Sequence, residues 1–370
     1  MINQERFIHR FKELVAIPNS SKEEATMCDY LKKALMALSI PFEEDDTASK
    51  INGNCGNLYA YVDGEKELPP ILLSAHMDSV EPAKNKRCVF HPDGTITSDG
   101  TTVLGADDLA GICAILEAIT SIKEDGKAHR PVEIVFDVSE ETYCEGIQQF
   151  DFSRLKSKEA YVFDLTGPIG GAAHQAPAIL SFEAVFHGRA AHAAFSPESG
   201  IHAIKAAAHA IDVISCGRVG DTTVNVGTVQ GGSATNVVPE TCIITGEVRS
   251  FNNESAQQKL NEIRNICEES ALLTGGSIDF KTRIFCLAYR VDPSSQAVSR
   301  FTAACDSLHL EPNLTSTYGG SDNNHFFHHG ITGLVVACGM NDCHSCKEYT
   351  SVSDLTKSAR LAEALILSDI

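Results

Sequence analysis

Apolar positions in the first part of the chain follow two spacings, and each spacing predicts a different kind of element. Short, largely apolar runs are typical of strands that are buried on both faces, and they lie at 57–62, 71–75, 132–138 and 160–164. Helical spacing occupies 5–15, 22–38 and 106–123. Ser20 and Ser21 are predicted to cap the second of these helices. Strands that alternate with helices predict an α/β domain with a largely parallel sheet.

The order of the predicted elements changes near residue 179. From there, strands and helices follow in the order strand, helix, strand, strand, helix, strand, at 180–188, 200–215, 222–230, 240–250, 254–274 and 277–288. This βαββαβ order is that of a ferredoxin-like α+β fold. The α/β pattern then resumes, with a helix at 296–308, strands at 314–318 and 333–338, and a helix at 352–370. We therefore predict a discontinuous first domain, 1–178 and 289–370, flanked by helices, with a second domain inserted at 179–288.

Composition narrows the classes of partner. The 370 residues include 30 Lys and Arg against 49 Asp and Glu, a formal net charge of −19. This balance disfavours nucleic acid and anionic membranes, because phosphate groups are bound by clustered Lys and Arg. There is no signal-peptide pattern, and no apolar run approaches the ~20 residues that span a membrane. The 13 cysteines lack the spacing of a disulfide framework, so we expect reduced thiols in a soluble, cytoplasmic protein.

Histidines and acidic residues recur where predicted strands end. His76 and Asp78 lie on the same side of an extended chain, so the carboxylate could hold one imidazole nitrogen while the other binds a metal. Alone, this pair is also typical of a loop without any ligand. Asp107 and Asp108 begin a predicted helix, where acids also serve simply to cap it.

Glu140 and Glu141 follow another strand, and successive side chains point to different places, which allows one ligand and one proton shuttle. The alternative is a solvated pair. Asp164 closes a further strand and His344 follows the last one. Cys343 and Cys346 flank His344, but a structural zinc site is disfavoured because the chain has no second matching pair. Together these imidazoles and carboxylates predict two hydrolytic divalent ions, most naturally zinc.

With these motifs the chain resembles the di-zinc aminoacylase/carboxypeptidase clan, and within it the peptidase T-like aminopeptidases. The matching stretches run in family order across the chain, at 74–78, 105–111, 139–141, 188–193, 319–322 and His344. The resemblance implies a metal-binding catalytic domain, an inserted lid and dimerisation domain, and a homodimer that acts on short peptides. It also implies that zinc is the metal, although this ligand set accepts manganese and cobalt.

The resemblance also implies a role for each position of the metal centre. His76 and Asp164 would bind one ion, and Glu141 and His344 the other. Asp107 would bridge both, with a cis peptide bond to the next residue.

Two further roles follow from the resemblance. Asp78 would orient His76, and Glu140 would be the general base that takes a proton from water and passes it to the leaving amine. His192 would stabilise the oxyanion in the partner subunit's active site, although by itself it is typical of a surface histidine.

Four residues resemble positions that bind substrate: Asn236, Arg249, Gly320 and Ser321. Asn236 and Arg249 would hold a substrate carboxylate, a task that suits the bidentate guanidinium. Turn formation and a solvated charge are the alternative interpretations of these two residues.

Leu109 departs from the family pattern, which has Lys after the paired acids. We expect metal binding to survive this change, with an effect on local charge and substrate preference. Of three histidines near residue 322, His325 is expected to line the pocket, whereas His328 and His329 are expected on a helix surface.

The predicted function is hydrolysis of short peptides by a metal-dependent aminopeptidase of the tripeptide type. An N-acyl-amino-acid deacylase, a desuccinylase or a carboxypeptidase with the same metal centre is the alternative. A non-enzymatic metal-binding protein on a degenerate hydrolase fold is the alternative from another class, which the intact set of ligands disfavours.

Overall fold

The computed structural model describes residues 1–368 and divides the chain into two units. The first unit contains Met1–Gln175, Arg290–Thr317 and the described chain from Ser321 onward. The second unit contains Ala176–Tyr289 and Tyr318–Gly320. The first unit is therefore discontinuous in sequence, and almost all of the second is one continuous segment.

The secondary structure consists of the following elements in chain order. The helices are α1 (Gln4–Val15), α2 (Ala25–Ala37), α3 (Thr47–Ile51), α4 (Ala106–Asp125), α5 (Ala203–Val213), α6 (Asn253–Leu273), α7 (Gln296–Ser307), α8 (Asp322–His328) and α9 (Val352–Leu367). The strands are β1 (Phe42–Glu44), β2 (Leu58–Val62), β3 (Ile71–His76), β4 (Val89–Phe90), β5 (Thr95–Thr97), β6 (Val132–Asp137), β7 (Glu159–Leu165), β8 (Gly171–Ala176), β9 (Ala178–His187), β10 (Gly217–Val219), β11 (Thr222–Gly231), β12 (Thr241–Ser250), β13 (Ser277–Cys286), β14 (Tyr289–Arg290), β15 (Asn313–Ser316), β16 (Thr332–Ala337) and β17 (Tyr349–Ser351). The predicted end of the last helix at Ile370 lies outside the described residues.

A mixed sheet forms the first unit, with strand order β1-β2-β6-β3-β7-β16-β8-β14 and β15 beside β8. Its centre is parallel, since β3 pairs with both β6 and β7, and β7 pairs with β16. Every residue of β3 and β6 is buried, as the short apolar runs predict. Helix α4 packs on β3 and β7, and α9 packs on α4. The predicted mixed, mainly parallel sheet with flanking helices is confirmed.

An antiparallel sheet of order β10-β11-β12-β9-β13 forms the second unit. Helices α5 and α6 pack against this sheet and against each other. Its core combines Phe182, Phe186 and Leu260 with four alanines of α5. The alanines bring α5 close to its neighbours. The predicted ferredoxin-like βαββαβ order is confirmed.

The main differences from the predicted elements have local causes. Lys22 has a left-handed backbone (φ 71°), which a right-handed helix cannot include. Helix α2 therefore begins after it, at Ala25. Ser20 and Ser21 therefore do not cap it. Strand β8 was not predicted, since its sequence GAAHQA lacks the β-branched and aromatic residues that favour strands. No helix within residues 1–368 is long and apolar enough to cross a membrane.

Candidate metal centre

The carboxyl ends of the parallel strands bring the predicted ligands together at one edge of the sheet. His76 ends β3, Asp164 is the sixth residue of β7, Glu141 follows β6 and His344 follows β16. Asp107 comes from the first turn of α4. Parallel strands place their carboxyl ends on the same side of a sheet, where α/β proteins bind their ligands.

Asp107 lies between the two imidazoles. Its Oδ1 is 3.0 Å from His76 Nε2, and its Oδ2 is 3.3 Å from His344 Nε2. Glu141 Oε2 is 2.9 Å from His344 Nε2, and Asp164 Oδ1 is 4.0 Å from His76 Nε2. One oxygen of Asp107 thus faces each half of the centre, as a bridging carboxylate requires. The ligand role of each residue remains a prediction.

The donor atoms fit divalent metal ions. One donor atom each of His76, Asp107 and Glu141 lies within 4.8 Å of the others, and so do those of His76, Glu140 and Asp164. Glu141 Oε1 is buried and has no hydrogen-bond partner in the described part of the chain. Imidazole nitrogens and carboxylate oxygens are the ligands of hydrolytic zinc sites. The residues present therefore suit such ions.

Asp78 connects His76 to the turn that carries the two glutamates. His76 Nδ1 lies 3.3 Å from Asp78 Oδ1 and 3.1 Å from the Asp78 carbonyl oxygen. The same carboxylate accepts hydrogen bonds from the backbone N–H of Glu140 (3.0 Å) and Glu141 (3.2 Å). The hydroxyl of Ser21 donates to Asp78 Oδ2 at 2.6 Å. Asp78 thus fixes both a ring orientation and a backbone turn.

Ser139, just before the two glutamates, has a left-handed backbone (φ 56°). Such a conformation costs a non-glycine residue on the order of 1–3 kcal/mol and has to be held by its surroundings. The N–H and the hydroxyl of Ser139 both donate to Glu24 Oε1 at 3.0 Å. Burial, with the charge of Asp78, raises the pKa of Glu24 to about 7.

The carboxylate of Glu140 has other neighbours than that of Glu141, which contacts His344. Cys144 Sγ donates to Glu140 Oε1 at 3.3 Å, and donor atoms of Glu140, Cys144 and Asp322 lie within 4.8 Å of one another. Burial raises the pKa of Glu140 well above its ordinary value, and the charge of Glu141 adds to this effect. Glu140 is thus a half-buried carboxylate beside the centre with a strong tendency to hold a proton.

Asp107 is held at the start of α4 by Glu348. The two oxygens of Glu348 accept the backbone N–H of Gly105 (2.7 Å) and of Asp107 (2.9 Å). The peptide bond from Asp107 to Asp108 is cis. Asp108 caps the helix, accepting the Gly111 N–H at 3.2 Å. Capping, the simpler interpretation of the acidic pair, therefore applies to Asp108, whereas Asp107 faces the imidazoles.

The centre concentrates negative charge in a partly buried place. Burial and the charge of Glu140 raise the pKa of Asp164 well above its ordinary value. Hydrogen bonds with Asp107 and Glu141 raise the pKa of His344 to about 11. Burial opposes the charged form of His76, yet its hydrogen bonds with Asp107 and with Asp78 raise its pKa. Positive charge is therefore strongly favoured here, as dications provide.

Comparison with known proteins assigns the chain to a family. A model described as a peptidase dimerisation domain of the M20 type matches residues 177–274, and one described as peptidase family M28 matches residues 57–209. The protein YqjE of Bacillus subtilis is 32% identical over 367 residues, covering 99% of each chain. The chain belongs to the M20 metallopeptidase family.

Two solved structures are similar to this chain along almost its whole length. A tripeptidase from Staphylococcus aureus has a TM-score of 0.94 and 31% identity, over 99% of this chain and 98% of the other. The aminopeptidase PepT from Bacillus cereus has a TM-score of 0.90 and 34% identity, over the same shares of both chains. The predicted membership of the peptidase T-like group, and with it a metallopeptidase activity, is confirmed.

In the second unit, His192 lies on an exposed loop. Its Nδ1 accepts hydrogen bonds from the backbone N–H of Ala194 and Phe195, both at 3.2 Å. A neutral ring bound in this way carries its proton on Nε2, which then serves as a donor. The exposed Phe195 ring lies 4.3 Å from the imidazole between ring centroids.

The predicted substrate-binding residues have different surroundings. Arg249 directs its guanidinium to both oxygens of Glu247, at 2.8 and 3.2 Å, and to the carbonyl of Tyr318 at 2.9 Å. Asn236 is exposed, and its carbonyl accepts the Ala193 N–H at 3.0 Å. Gly320 belongs to the second unit and the buried Ser321 to the first.

The remaining candidate residues are three histidines near residue 322 and the two cysteines that flank His344. His328 and His329 are exposed and His325 is half-buried, with burial lowering its pKa to about 4. No group of possible metal ligands among residues 1–368 includes Cys343 or Cys346.

Leu109, where the family has Lys, is fully buried in α4. A buried lysine lies close by, since a Cβ on Gly105 would be 2.9 Å from Lys86 Nζ and 3.3 Å from Leu109 Cδ1. Lys86 donates to Asn19 Oδ1 and lies 3.4 Å from Ser79 Oγ. The site region therefore holds a cation that comes from another segment of the chain.

Sequence reasoning missed three buried charged residues around the centre: Glu24, Lys86 and Glu348. Each is a charged residue in a polar segment, which is the usual pattern of a solvated surface. Only their burial in the folded chain, at 0%, 3% and 1% exposure, distinguishes them. No local signal in the sequence identifies them.

Proposed function

We propose that this chain is an aminopeptidase that hydrolyses short peptides of tripeptide size. The observation that carries the proposal is the placement of Asp107 between His76 and His344, with the half-buried carboxylate of Glu140 beside them. The tripeptidase and the aminopeptidase PepT, which match almost the whole chain above 30% identity, support peptides as the substrate class.

His76 and Asp164 would hold one divalent ion, Glu141 and His344 a second, and Asp107 both. Bound ions of this kind polarise a carbonyl and lower the pKa of water, so that hydroxide is available as the nucleophile near neutral pH. Zinc fits this set of nitrogen and oxygen donors best, and manganese and cobalt are the alternatives.

Glu140 acts as the general base in this proposal. Its carboxylate takes a proton from the attacking water and gives it to the amine that leaves. The raised pKa of Glu140 suits the second step, in which Glu140 gives up the proton that it holds. Positive charge at the centre lowers this pKa and so favours the carboxylate that the first step needs.

The second unit, in this proposal, is a lid that also forms a homodimer. It carries the match to a peptidase dimerisation domain. His192 of one subunit would donate from Nε2 to the oxyanion formed in the partner's site. Asn236, Gly320 and Ser321 would contact the peptide. The guanidinium of Arg249 would leave Glu247 and bind the carboxylate of the peptide instead.

The test combines a substrate panel with metal analysis. We expect free tripeptides to be cleaved at the N-terminal bond, with no comparable hydrolysis of N-acyl amino acids. Cleavage of N-acyl substrates alone would show a deacylase instead. A protein that binds no zinc, manganese or cobalt, and cleaves nothing after they are added, would be a non-enzymatic relative.

The variant Glu140→Gln distinguishes a general base from a metal ligand at this position. We expect the variant to keep its metal content and to lose roughly 10²–10⁴-fold in kcat, the usual contribution of a general base. Metal content is measured by elemental analysis beside the wild type. Loss of metal together with activity would show that Glu140 is a ligand.

A further inference from the structure

A second cluster of reactive side chains lies in the first unit. Cys28 belongs to α2, and Cys55 lies in the loop before β2. Both are free thiols, 0% and 4% exposed. One donor atom each of Cys28, Cys55 and Glu44 lies within 4.8 Å of the others. Two thiols this close are able to bind one ion together or to form a disulfide.

We propose that Cys28 and Cys55 form a redox-active dithiol, which a hydroperoxide converts to a disulfide with loss of activity at the metal centre. The link between the two thiols is a statement about this chain alone. Its effect on activity rests on the proposed function.

The surroundings favour a dithiol over a metal site. Glu44 Oε1 accepts the backbone N–H of Gly56 at 2.8 Å, and its Oε2 binds the ammonium of Lys32 at 2.6 Å. Both oxygens of the carboxylate are therefore engaged. An ammonium group at this place repels a divalent ion, and two thiols alone are fewer than the four ligands of a structural zinc site.

Cys28 has the properties of an attacking thiolate. A hydrogen bond from Cys55 lowers the pKa of Cys28 although burial acts against it, and Lys32 contributes in the same direction. The thiolate is the form of cysteine that reacts with peroxides. Because both sulfurs are buried, a small oxidant reaches them more readily than a bulky alkylating reagent.

The reaction balances with one molecule of hydrogen peroxide. The Cys28 sulfur attacks one peroxide oxygen, so that an S–O bond forms, the O–O bond breaks and the departing hydroxide takes a proton to become water. The Cys55 sulfur then attacks Cys28, an S–S bond forms, and the hydroxyl leaves with the Cys55 proton as a second water. The two thiols lose two electrons, which the peroxide gains.

Helix α2 connects Cys28 to the catalytic turn. The Cys28 N–H donates to the carbonyl of Glu24 at 2.9 Å, so the two residues are one helical turn apart. The side chain of Glu24 holds Ser139 through its N–H and its hydroxyl. Movement of α2 at Cys28 is therefore transmitted to the residue that precedes Glu140.

The loop of Cys55 reaches the same turn from the other side. Asn57, two residues further on, accepts the Val138 N–H at 3.1 Å and donates to the Gly146 carbonyl at 3.0 Å. The segments that carry the two thiols thus hold 138–146 from both ends. Drawing the sulfurs into bonding distance shifts both supports of Glu140.

The experiment treats the metal-loaded enzyme with hydrogen peroxide, removes the excess, and blocks the remaining thiols in denaturant with N-ethylmaleimide. Wild type, Cys28→Ser, Cys55→Ser and, as a matched control, the buried Cys305→Ser are compared. We expect a Cys28–Cys55 linked peptide in the wild type and in Cys305→Ser. Peptidase activity of these two should fall roughly 10- to 100-fold, as for a small displacement of a catalytic group, and dithiothreitol should restore it.

Several outcomes would overturn the proposal. One is inactivation that persists in both Cys28→Ser and Cys55→Ser, which would place the sensitive thiol elsewhere, with Cys144 beside Glu140 the first to examine. Another is zinc that copurifies with the wild type, is absent from Cys28→Ser and protects the thiols from peroxide. A linked peptide without any change of activity would remove the regulatory part. Hydrolysis by the untreated enzyme tests the proposed function separately.

Discussion

Asp78 shows how much of the centre depends on a single carboxylate. It contacts the ring of His76, the backbone N–H groups of both glutamates and the hydroxyl of Ser21. It fixes His76, a proposed ligand to one ion, and through the turn Glu141, a proposed ligand to the other. Its effect is therefore on geometry rather than on direct coordination.

Replacing Asp78 with Asn tests this positioning role. The amide keeps the shape but cannot accept all of the N–H donors, so we expect metal affinity to fall about 10- to 100-fold, as for other partners of ligating histidines. Isothermal titration of the metal-free protein with zinc measures the change. The exposed Asp212→Asn is the control, and equal affinity in both variants would contradict the role.

Lys86 gives the folded protein a specific pH dependence. Burial lowers its pKa from 10.5 to about 8, so between these values the unfolded chain binds more protons than the folded one. The unfolding free energy attributable to Lys86 should then rise from pH 8 to pH 10.5, by on the order of 3 kcal/mol. Below pH 8 the penalty of the buried charge is constant.

Comparison with Lys86→Met isolates this effect from the other groups that titrate in the same range. Denaturant unfolding of both proteins at pH 8, 9 and 10 should show the wild type gaining stability relative to the variant. Parallel curves for the two proteins would mean that Lys86 stays protonated in the fold throughout.

At the scale of elements, the start of α4 is the part of the fold on which the bridging residue depends. Gly105 has φ 76°, and its N–H is one of the two that Glu348 accepts. A Cβ there would lie 2.9 Å from the ammonium of Lys86. Only glycine combines this backbone with this approach.

Gly105→Ala should therefore damage both stability and metal binding. Gly126, at the other end of α4, has φ 60° with no atom within 4 Å of an added Cβ, so Gly126→Ala is the matched control. We expect about 1–2 kcal/mol of destabilisation from the left-handed backbone in both variants. A further loss, with weaker zinc binding, should occur only in Gly105→Ala. Thermal unfolding and zinc titration measure the two effects, and identical behaviour of the variants would contradict the role of Gly105.

At the scale of the whole molecule, the proposed homodimer makes each active site depend on two chains. Glu140 of one subunit and His192 of the other would complete one site. Two variants, each inactive alone, can then complement one another in a mixed dimer.

Mixing Glu140→Gln with His192→Ala tests this arrangement. A mixed dimer holds one site with both residues intact, so equal mixing with subunit exchange should recover roughly a quarter of the wild-type activity. Peptidase assays before and after exchange give the measurement. If the mixture stays inactive although mixed dimers are present, His192 acts within its own chain or not at all.

The sequence alone was sufficient for the elements and for most of the candidate ligands, since both depend on local patterns. Short apolar runs predicted β3 and β6, and helical spacing predicted α4, to within a few residues. The motifs around His76, Asp107 and Glu141 stand at the ends of those elements, and strand order brings such ends together. The weak strand β8 and the late start of α2 at Ala25 were missed, because packing and one left-handed residue outweigh local propensity there.

Tertiary structure alone decided which charged residues support the centre. Glu24, Lys86 and Glu348 come from segments far apart in sequence, and nothing local separates them from solvated charges. Their burial, the left-handed Ser139 and the closeness of Cys28 to Cys55 arise from how distant segments pack. A local pattern contains only the spacing of residues that are neighbours along the chain. Burial and hydrogen bonding across the fold depend on residues far apart in the chain, which no local spacing connects.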